Sequence, residues 1–372
     1  MKKNKKILLL HSSNDLYGAS KVFLQIIQIL NQQGYETHII LPFKGPLDDL
    51  IDTNSCKLQH YNLGVLRKKY FNIVGLINRA YKNLKSICFL SNYIKKNDIC
   101  TVYTNTSTII SGGLAAKINN ISSFVHIHEI PTNKLYFLIS KKLINIISNK
   151  IIVVSNAVKI YWNFRCDSKV NLIFNGFDVS SNKKETKKLK KDFVFTNIAR
   201  LIPYKGHLYL LSIAKKLIEY NPNFIFNIIG DTFNGYKNYE LSLKNYLVKN
   251  GLENNIFFLG FKNDVFTYLS KSDFFIHSAV EPDPFPTVII ESIISSVPVI
   301  STNLGGAVEI LDKGKGGLLI PVNDVEKSVS LILNFLEKEK EILQKKSYAE
   351  QYLKKNFSKN QFRHNILSLF ND

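Results

Sequence analysis

The chain has 372 residues with 45% apolar and 12% aromatic content, enough for two hydrophobic cores and too apolar for a disordered polymer. No run approaches twenty apolar residues, which excludes a spanning helix. The net charge of +20 asks for an anionic partner without choosing among nucleic acid, lipid and phosphorylated substrate.

The opening MKKNKKILLLHSS imitates a secretory signal, but Ile7 to Leu10 is a short apolar stretch with no small-residue cleavage site after it. It reads as the first buried strand of a chain that stays in the cytoplasm. A loop from His11 to Gly18 follows, then a helix with Val22, Phe23, Ile26, Ile27 and Leu30 on one face, ended near Gly34. Thr37 to Leu41 is the next strand, completing a βαβ unit. Thr101–Tyr103, Ser123–Ile127 and Lys150–Val154 read as later strands, with helices between them, including Ile110–Ile118. Composition changes abruptly after Val179 to SSNKKETKKLKK, which no core strand tolerates, so residues 179–192 are expected to link two domains. A second series begins with strand Phe193–Ile198 and helix His207–Tyr220. Strands at Phe224–Ile229, Ile256–Leu259, Phe274–Ile276, Pro298–Ser301 and Gly317–Ile320 follow, with helices at Tyr239–Lys249, Val265–Leu269 and Val288–Ser295. Alternation at this spacing implies α/β architecture with two Rossmann-like parallel sheets. The expected domains are 1–178, 193–347 and a helical segment 348–372. The part up to Asp178 has 23 basic and 9 acidic residues, against 26 and 20 beyond it. Cys56, Cys88, Cys100 and Cys166 have no close spacing and read as buried structural thiols.

Ligands bind such sheets at the carboxyl ends of the strands, and four motifs fall in loops there. In EPDPFPTVIIESI, Glu281 to Ile293, Pro286 presets φ before a helix and leaves the amides of Thr287 and Val288 at its positive end, suited to phosphate oxygens. Glu291 lies eight positions after Asp283, about two helical turns on, and could accept hydrogen bonds from vicinal ribose hydroxyls. In NIARLIPYKGH, Arg200 follows a strand and Lys205 stands beside Gly206, two cations for a departing diphosphate. In NDLYGASK, Gly18 would let a ligand approach the backbone, with a tight turn without ligand as the lesser alternative, and Lys21 adds charge or is merely solvated. In VHIHEI, alternation places His126 and His128 on one face with Glu129 opposite. His126 reads as structural and His128, nearer the strand's exit, as a residue that could orient a reacting hydroxyl or stabilise phosphate charge. A metal reading of H-x-H lacks further ligands, and no D-x-D stands where a metal-bound diphosphate would need one.

Ala199-Arg200-Leu201, Lys205-Gly206, Asp283 to Glu291, and Pro298 to Glu309 with Gly305 and Gly306 occur in the order and spacing of a known pattern. With them the chain resembles the retaining glycosyltransferases of family 4, of GT-B fold, in which two Rossmann-like domains face across a cleft and a terminal helix crosses back to the first. The resemblance implies a nucleotide-sugar donor, UDP- ahead of GDP-, with Arg200 and Lys205 on the diphosphate and Glu291 on the ribose. It places Phe285, Pro286, Thr287 and Val288 near the sugar and phosphates, and Gly18 and His128 in the first domain as completing the site. The first acid is Asp283 where the family has Glu, and its shorter reach leaves the sugar-hydroxyl contact open between Asp283 and Glu281. Retention by a front-face route is implied, with the departing phosphate helping to deprotonate the acceptor, and no divalent metal or other cofactor is expected.

The expected acceptor is a lipid-linked or surface-polysaccharide glycan. Leu66 to Lys96 mixes Tyr70, Phe71, Tyr81, Phe89 and Tyr93 with basic residues, as a surface lying on anionic membrane would, although aromatics packed into a core with solvated lysines fit too. The expected place is the cytoplasm, peripheral on the inner face of the membrane. Rival readings are a sugar-nucleotide epimerase, an inverting transferase on the same fold, a non-catalytic transferase homologue and a basic nucleic-acid-binding protein. The last explains the charge but not why Arg200, Lys205 and Glu291 gather at strand ends, and no nucleic-acid motif is present.

Overall fold

The computed structural model describes residues 5–67, 70, 72–131, 133–163, 168–179, 193–232 and 235–370. They form two units, Met1–Gly176 with Lys359–Asp372, and Phe177–Ser358. Residues 180–192 of the expected linker, Phe71 and Cys166 lie outside the described residues.

The first unit is built on strands β1 (Lys6–Leu10), β2 (Glu36–Leu41), β3 (Cys56–His60), β4 (Thr101–Thr104), β5 (Ser122–Ile127), β6 (Lys150–Val153) and β7 (Val170–Leu172). All pair in parallel, in the order β3-β2-β1-β4-β5-β6-β7. Side chains alternate across the sheet. Ile7 and Leu9 pack with helix Gly18–Gln32 and with the last helix, Lys359–Ser368, on one face, and Leu8 and Leu10 pack with helices Ile73–Asn97 and Ser111–Ile118 on the other. Helix Lys134–Ile147 lies beside Ser111–Ile118, where a Cβ on Gly113 would meet Ile147 at 2.7 Å. Side chains of Asn72, Asn133 and Ser155 cap helices by accepting from the amides of Gly75, Tyr136 and Val158.

The second unit holds β8 (Val194–Ile198), β9 (Ile225–Ile229), β10 (Ile256–Phe258), β11 (Phe274–His277), β12 (Val299–Thr302) and β13 (Leu318–Ile320), parallel in the order β10-β9-β8-β11-β12-β13. Phenylalanines dominate its core: Phe195 stacks on Phe226 at 4.8 Å and on Phe274 at 5.6 Å, and all three are buried. Both units thus have the expected Rossmann-like form. In each, the strand order reverses beside the first strand, between β1 and β4 and between β8 and β11, and loops diverging at such a point open a crevice for ligand.

Several expectations change. Strands β3 and β7 are additional; they sit at the sheet's edges, where Cys56–His60 buries only alternate residues and Val170–Leu172 none fully. The helical segment expected over 348–372 is two helices. Glu339–Asn356 belongs wholly to the second unit, and the chain changes unit after Ser358, where the Phe177 amide donates to the Phe357 carbonyl at 2.8 Å. Cys56 is buried, as expected, but Cys88 is exposed on a helix. Within 66–96, Phe89 stacks on Tyr61 at 3.8 Å and Tyr93 OH lies 2.9 Å from His38 Nδ1, so these two rings pack inward, and among the described aromatics named there Tyr81 alone is largely exposed. No helix among the described residues is long and apolar enough to cross a membrane.

The stacked phenylalanines set the cohesion of the second unit. Phe195→Ala is expected to cost about 3–5 kcal/mol, read as a lowered denaturant midpoint with an unchanged circular dichroism spectrum.

Candidate active site

In the second unit the loops after β8 and β11 meet backbone to backbone. Gly206 has φ +72°, and a Cβ there would stand 2.0 Å from the Ser278 carbonyl oxygen, so only glycine fits. The Val280 amide donates to the Tyr204 carbonyl at 3.0 Å, and the exposed Glu281 carries its amide 3.4 Å from the same oxygen. Arg200 is exposed beyond β8 and donates from Nη2 to Tyr204 Oη at 3.1 Å.

Lys205 ends a short 3-10 turn, Pro203–Lys205, and its ammonium bonds the carboxylate of Asp283. Both side chains are mostly buried, at 16% and 14% exposure, and His277 Nε2 lies 3.8 Å from the same carboxylate. Burial alone would raise the pKa of Asp283, but Lys205 and His277 outweigh it and hold the carboxyl well below the usual carboxylate range. Burial pushes His277 down against the pull of Asp283, and its Nδ1 sits 3.0 Å from Ser301 Oγ. The main chain at Asp283 rests on two glycines: a Cβ on Gly305 would stand 2.5 Å from its carbonyl oxygen, and the Gly306 amide donates to that oxygen at 2.8 Å.

Pro286 precedes helix Thr287–Ile294, whose N-terminus has no side-chain cap. Glu291 lies three and four residues after Val288 and Thr287, hence on their side of the helix, while Ile289, Ile290 and Ile293 are buried. One expectation is corrected here. Asp283 precedes the helix, so the eight-residue spacing to Glu291 is not two helical turns. Phe285 is buried against Phe177 and Phe357, with ring centroids 6.4 and 5.8 Å away, so its ring anchors the loop within this unit.

The first unit carries its own polar cluster at the ends of β1, β4 and β5. Asn105 Nδ2 donates to the Ala19 carbonyl at 3.0 Å, which fixes the amide's orientation. Its Oδ1 therefore accepts from His128 Nε2 at 3.0 Å, and its Nδ2 faces His11 Nδ1 at 3.3 Å. His11 Nε2 is 3.0 Å from Ser20 Oγ, which donates to Asp15 Oδ1 at 2.8 Å. The chain of donors runs one way, from His128 to Asp15, with both imidazoles neutral. Burial lowers the pKa of His11 to about 4, and burial with His126 and His11 nearby holds His128 well below the ordinary histidine value. His126 is fully buried, 2.7 Å from Tyr103 Oη, with its ring 4.1 Å from that of His128, so the two do share a side. Glu129 is not opposite them on a strand: β5 ends at Ile127, and the Glu129 carboxylate accepts from Thr106, from Ser107 Oγ at 3.1 Å and from the His128 amide at 3.2 Å. Burial raises its pKa, and those hydrogen bonds restrain the rise.

Gly18 is exposed at the start of its helix, its φ is not left-handed, and a Cβ there would meet nothing within 4 Å. The tight-turn explanation therefore fails, since the fold makes no demand for glycine at this position. Lys21 is exposed. Asn14, buried four residues before Gly18, bonds the Phe43 carbonyl, Asp48 and the Leu47 amide at 2.8, 2.7 and 2.7 Å and ties the loops after β1 and β2 together. Asn105, His11, His277 and Asn14 were not singled out from the sequence, although the run TNTST directly after β4 marks Asn105 as a residue at a strand exit. Among the described residues, no three His, Cys, Asp or Glu are grouped to hold a metal ion.

The family model of the glycosyl transferases group 1 matches residues 178–354. The chain is 28% identical over 342 residues to an Escherichia coli UDP-Gal:alpha-D-GlcNAc-diphosphoundecaprenol alpha-1,3-galactosyltransferase, covering 86% of this chain and 84% of the relative. It is 25% identical over 316 residues to the Staphylococcus aureus capsular polysaccharide biosynthesis glycosyltransferase CapH, covering 80% and 81%. Among solved structures, Anabaena HepE in complex with UDP superposes with a TM-score of 0.81 at 21% identity, over 98% of this chain and 99% of that one.

The buried neutral histidines make stability depend on pH. The unfolded imidazole takes a proton near 6.5, whereas folded His11 does so only near 4, so the unfolded state binds more protons in that window. Stability should fall as pH drops from 6.5 to 4, by about 3 kcal/mol for this group. In urea titrations across that range, His11→Asn should be less stable at pH 7 and show a shallower decline.

Proposed function

We propose that this glycosyltransferase of GT-B fold, whose residues 178–354 match the group 1 family model, transfers a hexosyl unit from a UDP-sugar, with retention, to a lipid-linked acceptor in surface-polysaccharide synthesis. The observation that carries this is the convergence, at the strand-order reversal of the second unit, of Arg200, Lys205, the uncapped start of helix Thr287–Ile294 and Glu291. Uridine as the base and a lipid diphosphate as the acceptor are supported by the names of the E. coli relative and of the UDP complex of similar fold.

Arg200 and Lys205 bind the diphosphate, with the amides of Thr287 and Val288 at the helix's positive end, and Glu291 accepts from the ribose hydroxyls. These cations and amides strengthen their hold as the anomeric C–O bond breaks and charge collects on the leaving phosphate. The acceptor oxygen bonds to the anomeric carbon on the face the phosphate leaves, and its proton passes to the phosphate oxygen. His128 keeps its Nε2 proton on Asn105, so its Nδ1 presents a lone pair that can orient a hydroxyl, a role that suits a neutral imidazole better than holding phosphate charge. Asp283 holds Lys205 in place, which leaves the exposed Glu281 as the acid for a sugar hydroxyl. A lipid-linked acceptor places the reaction at the cytoplasmic face of the cell membrane.

Incubation with UDP-hexoses and a lipid-diphosphate monosaccharide, followed by NMR of the product, tests the reading. An α-linked product from the α-linked donor, undiminished by EDTA, is expected. Glu291→Ala should lower kcat/KM about a hundredfold, the loss of two charge-assisted hydrogen bonds. A β-linked product, or UDP release without transfer, would overturn it.

A further inference from the structure

Three consecutive helices of the first unit, Ile73–Asn97, Ser111–Ile118 and Lys134–Ile147, cover the same face of its sheet, as right-handed crossovers from β3 to β6 require. The first is apolar on the wrong side. Ser86, Leu90 and Ile94 turn inward, yet Ile73, Ile77, Tyr81 and Leu84 follow one another at helical spacing along the outer side, with Ile73 79% and Ile77 66% exposed. The third helix repeats this with Leu135, Leu138 and Ile146, Leu138 being 62% exposed. Water-facing aliphatic rows on two helices of one layer, flanking Ser111–Ile118, are the mark of a covered surface.

Charge identifies what covers it. The three helices together contain nine Lys or Arg and not one Asp or Glu. Lys85, Lys134 and Lys142 are exposed beside the aliphatic rows, with Lys85 Nζ 4.6 Å from the Tyr81 ring centre. A second copy would bring two cationic faces together, and a nucleic acid would use the charge while leaving the aliphatic rows in water. We infer that this face docks on an anionic bilayer, the outer sides of helices Ile73–Asn97 and Lys134–Ile147 entering the interface and the lysines reaching the headgroups. The surface overlaps the segment 66–96 expected from sequence but is mainly aliphatic: of the aromatics named there Tyr81 joins it, Phe89 and Tyr93 take no part, and the helix Lys134–Ile147 adds a second row. The inference deepens the reading of a lipid-linked acceptor, and since vesicle binding needs no turnover either can fail alone.

The full chain is mixed with vesicles of phosphatidylcholine, with and without phosphatidylglycerol, and sedimented. Binding is expected to the anionic vesicles, weakening with salt. The double variant Ile77→Asp, Leu138→Asp should bind about tenfold more weakly or worse, as loss of inserted apolar area predicts. Its melting temperature should be unchanged, because both residues face outward. Tyr220→Asp, Val248→Asp, exposed positions of the second unit, should bind as the wild type does. Equal binding to both vesicles, binding to neither, retention in the double variant, or concentration-dependent self-association without vesicle binding would each overturn the proposal.

Discussion

The second unit depends on a close approach of backbones at its carboxyl edge. Gly206 lies against the Ser278 carbonyl and Gly305 and Gly306 lie under Asp283 and Pro284, so three loops that follow β8, β11 and β12 behave as one body. No side chain can enter these contacts without moving main chain, and main chain here carries Arg200, Lys205 and Glu281 and leads into the helix that bears Glu291. The Lys205–Asp283 pair belongs to this body. Burying an ion pair adds little net stability, because desolvation offsets the attraction, but it fixes where the ammonium points. An aspartate suits that task through its short reach, and the reach that keeps it on Lys205 takes it away from a sugar hydroxyl. Binding a diphosphate then means exchanging one anionic partner of Lys205 for another, or sharing it, instead of ordering a free lysine.

The first unit solves a different electrostatic problem. Its strand ends gather His11, His126, His128 and Glu129 in a region where burial disfavours every charged form. The histidines stay neutral, and His128 and His11 are arranged by a one-way run of hydrogen bonds, whose direction is set by a single backbone carbonyl, that of Ala19. A neutral imidazole with a fixed tautomer is a directional acceptor, whereas an imidazolium would have none. The excess positive charge of this half of the chain lies elsewhere, on the helices over one face of the sheet, where it touches water instead of core.

Legibility followed burial. β1, β5, β8 and β11 are runs buried on both faces and stand out as apolar stretches, and the helix Gly18–Gln32 shows its stripe because one side alone meets the core. Edge strands β3 and β7 bury too little to leave such a mark. In the motif from Glu281 to Ile293 the residues were legible and their geometry was not. Helical spacing was read through Pro284 and Pro286, where the chain is in fact a loop, and a sequence does not say that Phe177 and Phe357 fill the surroundings of the Phe285 ring. The outward aliphatic rows were hidden for a related reason. A helix with apolar residues on two opposite sides looks, in sequence, like one with a broad core face, and only the packing of Ser86, Leu90 and Ile94 shows which side is inside.

The loops held together in the second unit are expected to receive a nucleoside diphosphate through Lys205. Titration calorimetry of UDP into the wild type and into Lys205→Ala should then show saturable binding at one site per chain, weakened about tenfold or more in the variant by loss of a charge-assisted contact to phosphate. Absence of saturable binding to the wild type, or the same affinity in both proteins, would contradict this.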